Sequence, residues 1–287
     1  MFKYGVTCAF EELPPQQPVT MRGSLDSLIE RAKKCNYDAL ELFIRNPKQY
    51  DGPAIKAAAD KAGLAFSALT TGMEYTKNGL SLISDDASIR KQAIERLREH
   101  IDLGAELNAP VVIGIMRANI PDFSQYQKYE DRLSNALKLL SDYAAKKGVI
   151  IYVESIMRYI NNYLNSVPET TDYLNKLNLD NVLLHIDTHS MTVEDVDFPA
   201  AVRYAGKRLG YVHFTDNNRR YPGGGNINFQ SIMEALIDID YKGYIVFECQ
   251  PYPDEFTCAK FSIDYCKALE TCIKIKKFNK LGGNNHD

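Results

Sequence analysis

The chain is short of the features that mark most specialised proteins. Its 287 residues hold six cysteines, Cys8, Cys35, Cys249, Cys258, Cys266 and Cys272, and no two of them form a Cys-x-x-Cys pair. No leader-like segment follows Met1-Phe2-Lys3-Tyr4, so these thiols are expected to be packing residues in a reduced cytoplasm. Cys8 and Cys249 sit at strand ends, where a site-facing role stays open. No apolar run reaches the ~18 residues of a membrane span, so no membrane partner is expected. Charge of either sign is not in excess: 34 basic against 37 acidic residues leave −3, which gives no electrostatic case for nucleic acid and too little repulsion for disorder. No Gly-x-Gly-x-x-Gly follows the first strand, which argues against a dinucleotide fold. No linker or shift in composition divides the chain. One domain is expected over residues 1–287, with a disordered tail from about residue 280 in which His286 is a bystander.

What is present is a regular alternation. Short β-rich runs, Tyr4–Cys8, Ala39–Phe43, Leu64–Leu69, Pro110–Met116, Val149–Glu154, Leu183–Asp187, Tyr211–Phe214 and Tyr244–Glu248, are separated by helical patterns. Ser24 reads as the N-cap of the first helix. In the longest pattern, Ile89, Ala93, Leu97, Ile101 and Ala105 recur every fourth residue, and His100 within it reads as surface or packing. Several strands lack strict alternation, as strands buried on both faces do. Eight strands alternating with eight helices in this length predict an α/β fold, a (β/α)8 TIM barrel. The loop from Thr70 to Asp85 is long enough to cover something.

Four consecutive strands, the fifth to the eighth, end in ligand-type residues: Glu154, Asp187, His213 and Glu248. A barrel gathers its strand ends at one face, so these four are expected to converge on one metal site. Three carboxylates and an imidazole form a hard donor set. It suits one divalent ion, Mn2+, Co2+ or Mg2+ before Zn2+. His185, two residues before Asp187, reads as a packed barrel histidine. Arg117, after the fourth strand, reads as an exposed loop arginine by default.

The spaced Glu154, Asp187 and Glu248, with His213-x-x-Asp216-x-x-Arg219-x-x-Pro222-Gly223-x-Gly225, resemble the xylose-isomerase-like TIM barrels, and within them the ketose 3-epimerases of the D-tagatose/D-psicose type. The resemblance spans nearly the whole chain. It implies an isomerase of carbohydrate metabolism that acts on a small-molecule sugar or sugar phosphate, assembles as a homodimer or homotetramer, and binds one divalent ion, usually Mn2+ or Co2+, at the four matching positions. It also implies that Glu154 and Glu248 remove and return a proton on opposite faces of the substrate, and that Arg219 contacts a substrate oxygen. Asp216 is then expected to orient a metal ligand, or else to cap a turn. Arg158, four residues after Glu154, is placed to reach substrate or to brace a carboxylate.

Two positions depart from that pattern. Ile160 stands where the epimerases have a substrate-binding glutamate. Ser190 stands where they have a histidine, and His189 comes one position early, with its reach to the substrate set by the local backbone. Other readings on the same scaffold are an aldose–ketose or hydroxypyruvate-type isomerase and an inosose- or dehydroshikimate-type dehydratase. A barrel that binds carbohydrate without turnover is a further class. An endonuclease IV-like repair enzyme would need histidines at the ends of the third and fourth strands. Leu69-Thr70-Thr71 and Ile115-Met116-Arg117 stand there instead.

Overall fold

The computed structural model describes residues 2–11, 13 and 16–282. Its strands β1 (Lys3–Ala9), β2 (Ala39–Phe43), β3 (Ala65–Thr70), β4 (Val111–Ile113), β5 (Ile151–Ser155), β6 (Val182–Asp187), β7 (Leu209–Phe214) and β8 (Tyr244–Phe247) follow one another round a parallel sheet. Pairing of β1 with β8, from Lys3↔Tyr244 to Val6↔Phe247, closes the ring into the expected TIM barrel. A two-residue strand, Met21–Arg22, adds to the upper end of β1.

Local chemistry sets the helix ends. Ser24 caps α1 (Leu25–Cys35) by accepting from the Ser27 amide, and Asn36 ends it at φ 61°. Asp86 caps α4 (Ala87–Leu107), which stops at Asn108, φ 53°. Asparagine tolerates this left-handed conformation because its short polar side chain can bond locally. The remaining helices are α2 (Gly52–Lys61), α3 (Met73–Asn78), α5 (Tyr126–Ala145), α6 (Val167–Leu177), α7 (Thr188–Glu194), α8 (Phe198–Ala205), α9 (Phe229–Asp238) and α10 (Glu255–Gly282). Short helices α3 and α7 are additions at the upper ends of strands. α10 stays helical through Gly282, past the expected start of the tail, because extending a formed helix costs little. The rest of that tail, Gly283–Asp287, lies outside the described residues.

The main core fills the space between barrel and helices. Inside the barrel, Ala68, Val112, Tyr152, Tyr211 and Val246 form a second, smaller plug, with the Tyr152 and Tyr211 rings stacked at 4.9 Å. Strand side chains repeat with a period of two, so the next inward residues above this plug are Glu154, His213 and Glu248. The fold therefore plugs the barrel largely with apolar side chains and lifts Glu154, His213 and Glu248 to its C-terminal mouth.

Candidate active site and metal centre

A cavity of about 250 Å3 opens at that mouth. Glu154, Glu248 and Arg219 form its polar side, and Phe43, Met73, Ile115, Ile156 and Ile160 its apolar side. Met73 and Thr76 come from α3, so the Thr70–Asp85 segment does cover the cavity.

The ligand-type residues sit at neighbouring heights because the strands are in register, with Asp187 opposite His213. Asp187 is fully buried and caps α7, its Oδ1 accepting from the His189 amide at 2.9 Å. Asp187 Oδ2 lies 2.8 Å from Arg219 Nη1, an ion-pair contact without hydrogen-bond geometry. The same nitrogen donates to Glu248 Oε2 at 2.8 Å. Two carboxylates thus converge on one cationic nitrogen, as they would on a metal ion. His213 Nδ1 is 3.6 Å from that Glu248 oxygen, while Nε2 donates to Glu41 at 2.7 Å. Burial opposes a charged imidazole at position 213, yet the carboxylates of Glu41 and Glu248 outweigh it and hold its pKa well above the ordinary value. Burial, reinforced by the charge of Glu248, pushes the Glu154 carboxyl up to about 8.

The donor set fits a hard divalent cation. His213 Nδ1 is a buried ring nitrogen without a hydrogen-bond partner, and Asp187 Oδ2 has only its ion contact with Arg219, so a divalent ion that displaced the Nδ1 proton would engage both. Glu154, His185 and His213 also bring ligand atoms within 4.8 Å of one another. His185 is fully buried, as a packed barrel histidine should be, but neither ring nitrogen has a partner. Burial drives its pKa well below the usual value, which leaves it a neutral imidazole.

Arg219 is delivered by a loop built on Asp216. The Asp216 carboxylate accepts from the backbone amides of Asn217, Gly223, Gly225 and Ile227 at 2.9–3.1 Å. A Cβ at Gly225 would lie 2.3 Å from Asp216 Oδ1, so glycine is needed for the loop to wrap this closely. Asp216 therefore holds the loop and not a metal ligand, the turn-forming alternative of the two. The glycine run closes on this carboxylate. Arg219 itself adopts φ 60°, a left-handed conformation that bulky residues seldom hold without surrounding support.

Other candidates are placed differently from the expectation. The exposed Arg158 side chain does not line the cavity; it clamps Glu194 with Nε at 3.0 Å and Nη2 at 2.7 Å, bracing a carboxylate. Arg117 is fully buried, contrary to the exposed-loop reading. A 3-10 turn tucks it under the next loop, where it donates to the carbonyls of Tyr163 and Leu164 and lies over the Tyr163 ring. His189 is neither in a strand nor in an open loop but in the first turn of α7, and the cavity wall takes its neighbour Ser190 instead. Burial, then the nearby Arg219 charge, depresses the His189 pKa. Ile160 lines the cavity at its rim, 45% exposed. Cys8 and Cys249 are buried outside the cavity lining. His100 packs in the core, its ring nitrogens against the carbonyls of Ile44 and Arg96.

One residue escaped the sequence reading. Glu41 is fully buried inside the barrel and contacts His213, Tyr211 and Thr70. The available signal was a lone glutamate inside the apolar run Ala39-Leu40-Glu41-Leu42-Phe43.

Comparison with known proteins places the chain among sugar epimerases in sequence and fold. The L-ribulose 3-epimerase of Methylomonas sp. (strain DH-1) is 32% identical over 240 residues, 83% of this chain and 82% of that protein. The D-psicose 3-epimerase of Agrobacterium fabrum is 30% identical over 230 residues, 77% of each chain. The crystal structure of a Methylomonas sp. D-allulose 3-epimerase in complex with D-allulose superposes with a TM-score of 0.79 at 26% identity, over 93% of this chain and 96% of that one. Residues 29–270 match the family model for the xylose isomerase-like TIM barrel, and the chain belongs to that family.

Proposed function

We propose that this chain is a divalent-metal-dependent ketose 3-epimerase that takes an unphosphorylated ketose. It is an enzyme of the sugar epimerase and isomerase class, as its relatives are. The finer reading is supported by Glu154 and Glu248 lining one cavity, with His213 Nδ1 3.6 Å from Glu248, ligand atoms of Glu154 and His213 within 4.8 Å of each other, and Asp187 and Glu248 sharing Arg219 Nη1.

Asp187 and His213 would hold the ion, with Glu154 and Glu248 completing the set. Mn2+ suits this donor set well. A bound divalent cation supplies the electrostatic stabilisation that lets a C–H beside a carbonyl lose its proton. Glu154 and Glu248 stand on β5 and just after β8, with two strands between them, so their carboxylates can flank a ketose lying across the mouth. One removes the C3 proton and the other returns a proton to the opposite face. Arg219 steadies both Asp187 and Glu248 and can donate to a substrate oxygen.

Among the described residues, Arg219 is the cavity's one basic lining residue, and two carboxylates already engage it. That favours a neutral sugar over a sugar phosphate. Gln17, Thr70, Thr76 and Ser190 supply polar groups for hydroxyls. The test is incubation of the Mn2+-loaded protein in D2O with free and phosphorylated ketoses. Deuterium at C3 of a free ketose, with formation of its epimer, is the expected result. Deuterium at C1 with aldose formation, or loss of water, would replace this reading with an isomerase or a dehydratase.

A further inference from the structure

We propose that Glu41 is a positioning residue that selects the tautomer of His213 and so turns His213 Nδ1 into a free metal-binding lone pair. The inference rests on the reading of His213 as a metal ligand.

Glu41 lies on β2, across the barrel interior from β7, and none of its surface is exposed. Its Oε2 accepts from His213 Nε2 at 2.7 Å and from the Tyr211 hydroxyl at 2.6 Å, and its Oε1 accepts from the Thr70 hydroxyl. A carboxylate held by three donors acts as an acceptor only, so the proton of the imidazole belongs on Nε2. Once a cation displaces the other ring proton, Nδ1 is the bare nitrogen, and it is the one that faces Glu248 at 3.6 Å. Two further features hold this arrangement. The β2–β3 pairing shifts register between Leu40 and Glu41, a local irregularity of the kind that re-aims a side chain. The His185 ring packs edge-on against His213, with centroids 4.2 Å apart, so the imidazole is flanked on that side by a second buried ring. Carboxylate partners of this kind fix the orientation of a ligating histidine and raise its basicity.

Glu41→Gln tests the idea with almost no change of volume. A glutamine can present either its carbonyl oxygen or its NH2 to Nε2, so it no longer fixes the imidazole proton there, and it removes the carboxylate charge that raises the basicity of Nδ1. The Mn2+ dissociation constant, measured from the EPR signal of free Mn2+, is expected to rise about 10- to 100-fold in this variant. Tyr211→Phe removes a donor from the same carboxylate but leaves its contact with His213, so it should stay within about threefold of wild type. A purely structural role for Glu41 would move both variants together and would overturn the proposal, as would an unchanged constant in Glu41→Gln. The second readout needs no variant: 15N–1H NMR of the Zn2+-loaded wild type should place the His213 proton on Nε2, and a proton on Nδ1 overturns the proposal even if Glu41→Gln fails to fold. His213→Ala separates the two layers. If it binds Mn2+ like wild type, the ligand reading fails and this inference with it. If it binds weakly while Glu41→Gln does not, only this inference fails.

Discussion

Asp187 and His213 are register partners on β6 and β7, so a carboxylate and an imidazole from adjacent strands stand side by side at the same height in the barrel. The pair forms the fixed part of the candidate centre, because each residue is anchored by a second bond on its far side. Asp187 caps α7 through Oδ1, and His213 is tied to Glu41 through Nε2.

The double use of Asp187 separates binding from folding. Asp187→Asn keeps an acceptor for the His189 amide, so thermal stability should change little, while Mn2+ affinity falls at least about tenfold. Asp187→Ala should lose the same affinity and in addition about 1 kcal/mol of stability with the cap. Calorimetric titration and urea unfolding of both variants measure the two effects. Wild-type affinity in Asp187→Asn would remove this residue from the ligand set.

Glu154→Gln and Glu248→Gln should each lower kcat by roughly 10²- to 10⁴-fold. Their defects should also be asymmetric. Each variant keeps the base that serves one epimer, so it should still exchange the C3 proton of that epimer with D2O and not that of the other. Full turnover in both variants would end the two-carboxylate mechanism.

The raised Glu154 pKa makes a prediction about the metal-free protein. Its folded value is about 8 against an ordinary 4.5, so between these values the native state holds a proton that the unfolded chain has released. Stability of the chelator-treated protein should therefore fall as pH rises from about 5 to 8. Added Mn2+ competes with that proton, so the rise in Tm on loading should be larger at pH 8 than at pH 6. Glu154→Gln should flatten the metal-free trend; the same slope in that variant would assign it to another group.

Gly225→Ala probes the loop that carries Arg219. The new methyl group would sit 2.3 Å from Asp216 Oδ1, and that carboxylate is pinned by four backbone amides. Displacing it should cost about 1–3 kcal/mol within the loop and shift Arg219 from its carboxylates. A several-fold rise in KM and weaker Mn2+ binding, with cooperative unfolding retained, is the expected pattern. Wild-type kinetics would show that the loop geometry does not govern the site.

The chain by itself determined the barrel and its ligand-type residues. Apolar runs of strand length, separated by helical periods, can be read locally, and a run ending in Glu154, Asp187 or Glu248 already says that a charged group stands where burial stops. Only the closed barrel decided which side chains share a space. Glu41 and His213 are 172 residues apart in sequence and 2.7 Å apart in the structure, and no local period relates them. Arg158 and Arg117 look alike as strand-end arginines, yet one clamps Glu194 at the surface and the other is enclosed by Tyr163 and Leu164. Ser190 reaches the cavity wall in place of His189 because α7 begins at Thr188, and each residue of a helix turns the side chain by roughly 100°. Local periodicity records how deep a residue lies. Its neighbours depend on how the strands close, and the chemistry of this site depends on those neighbours.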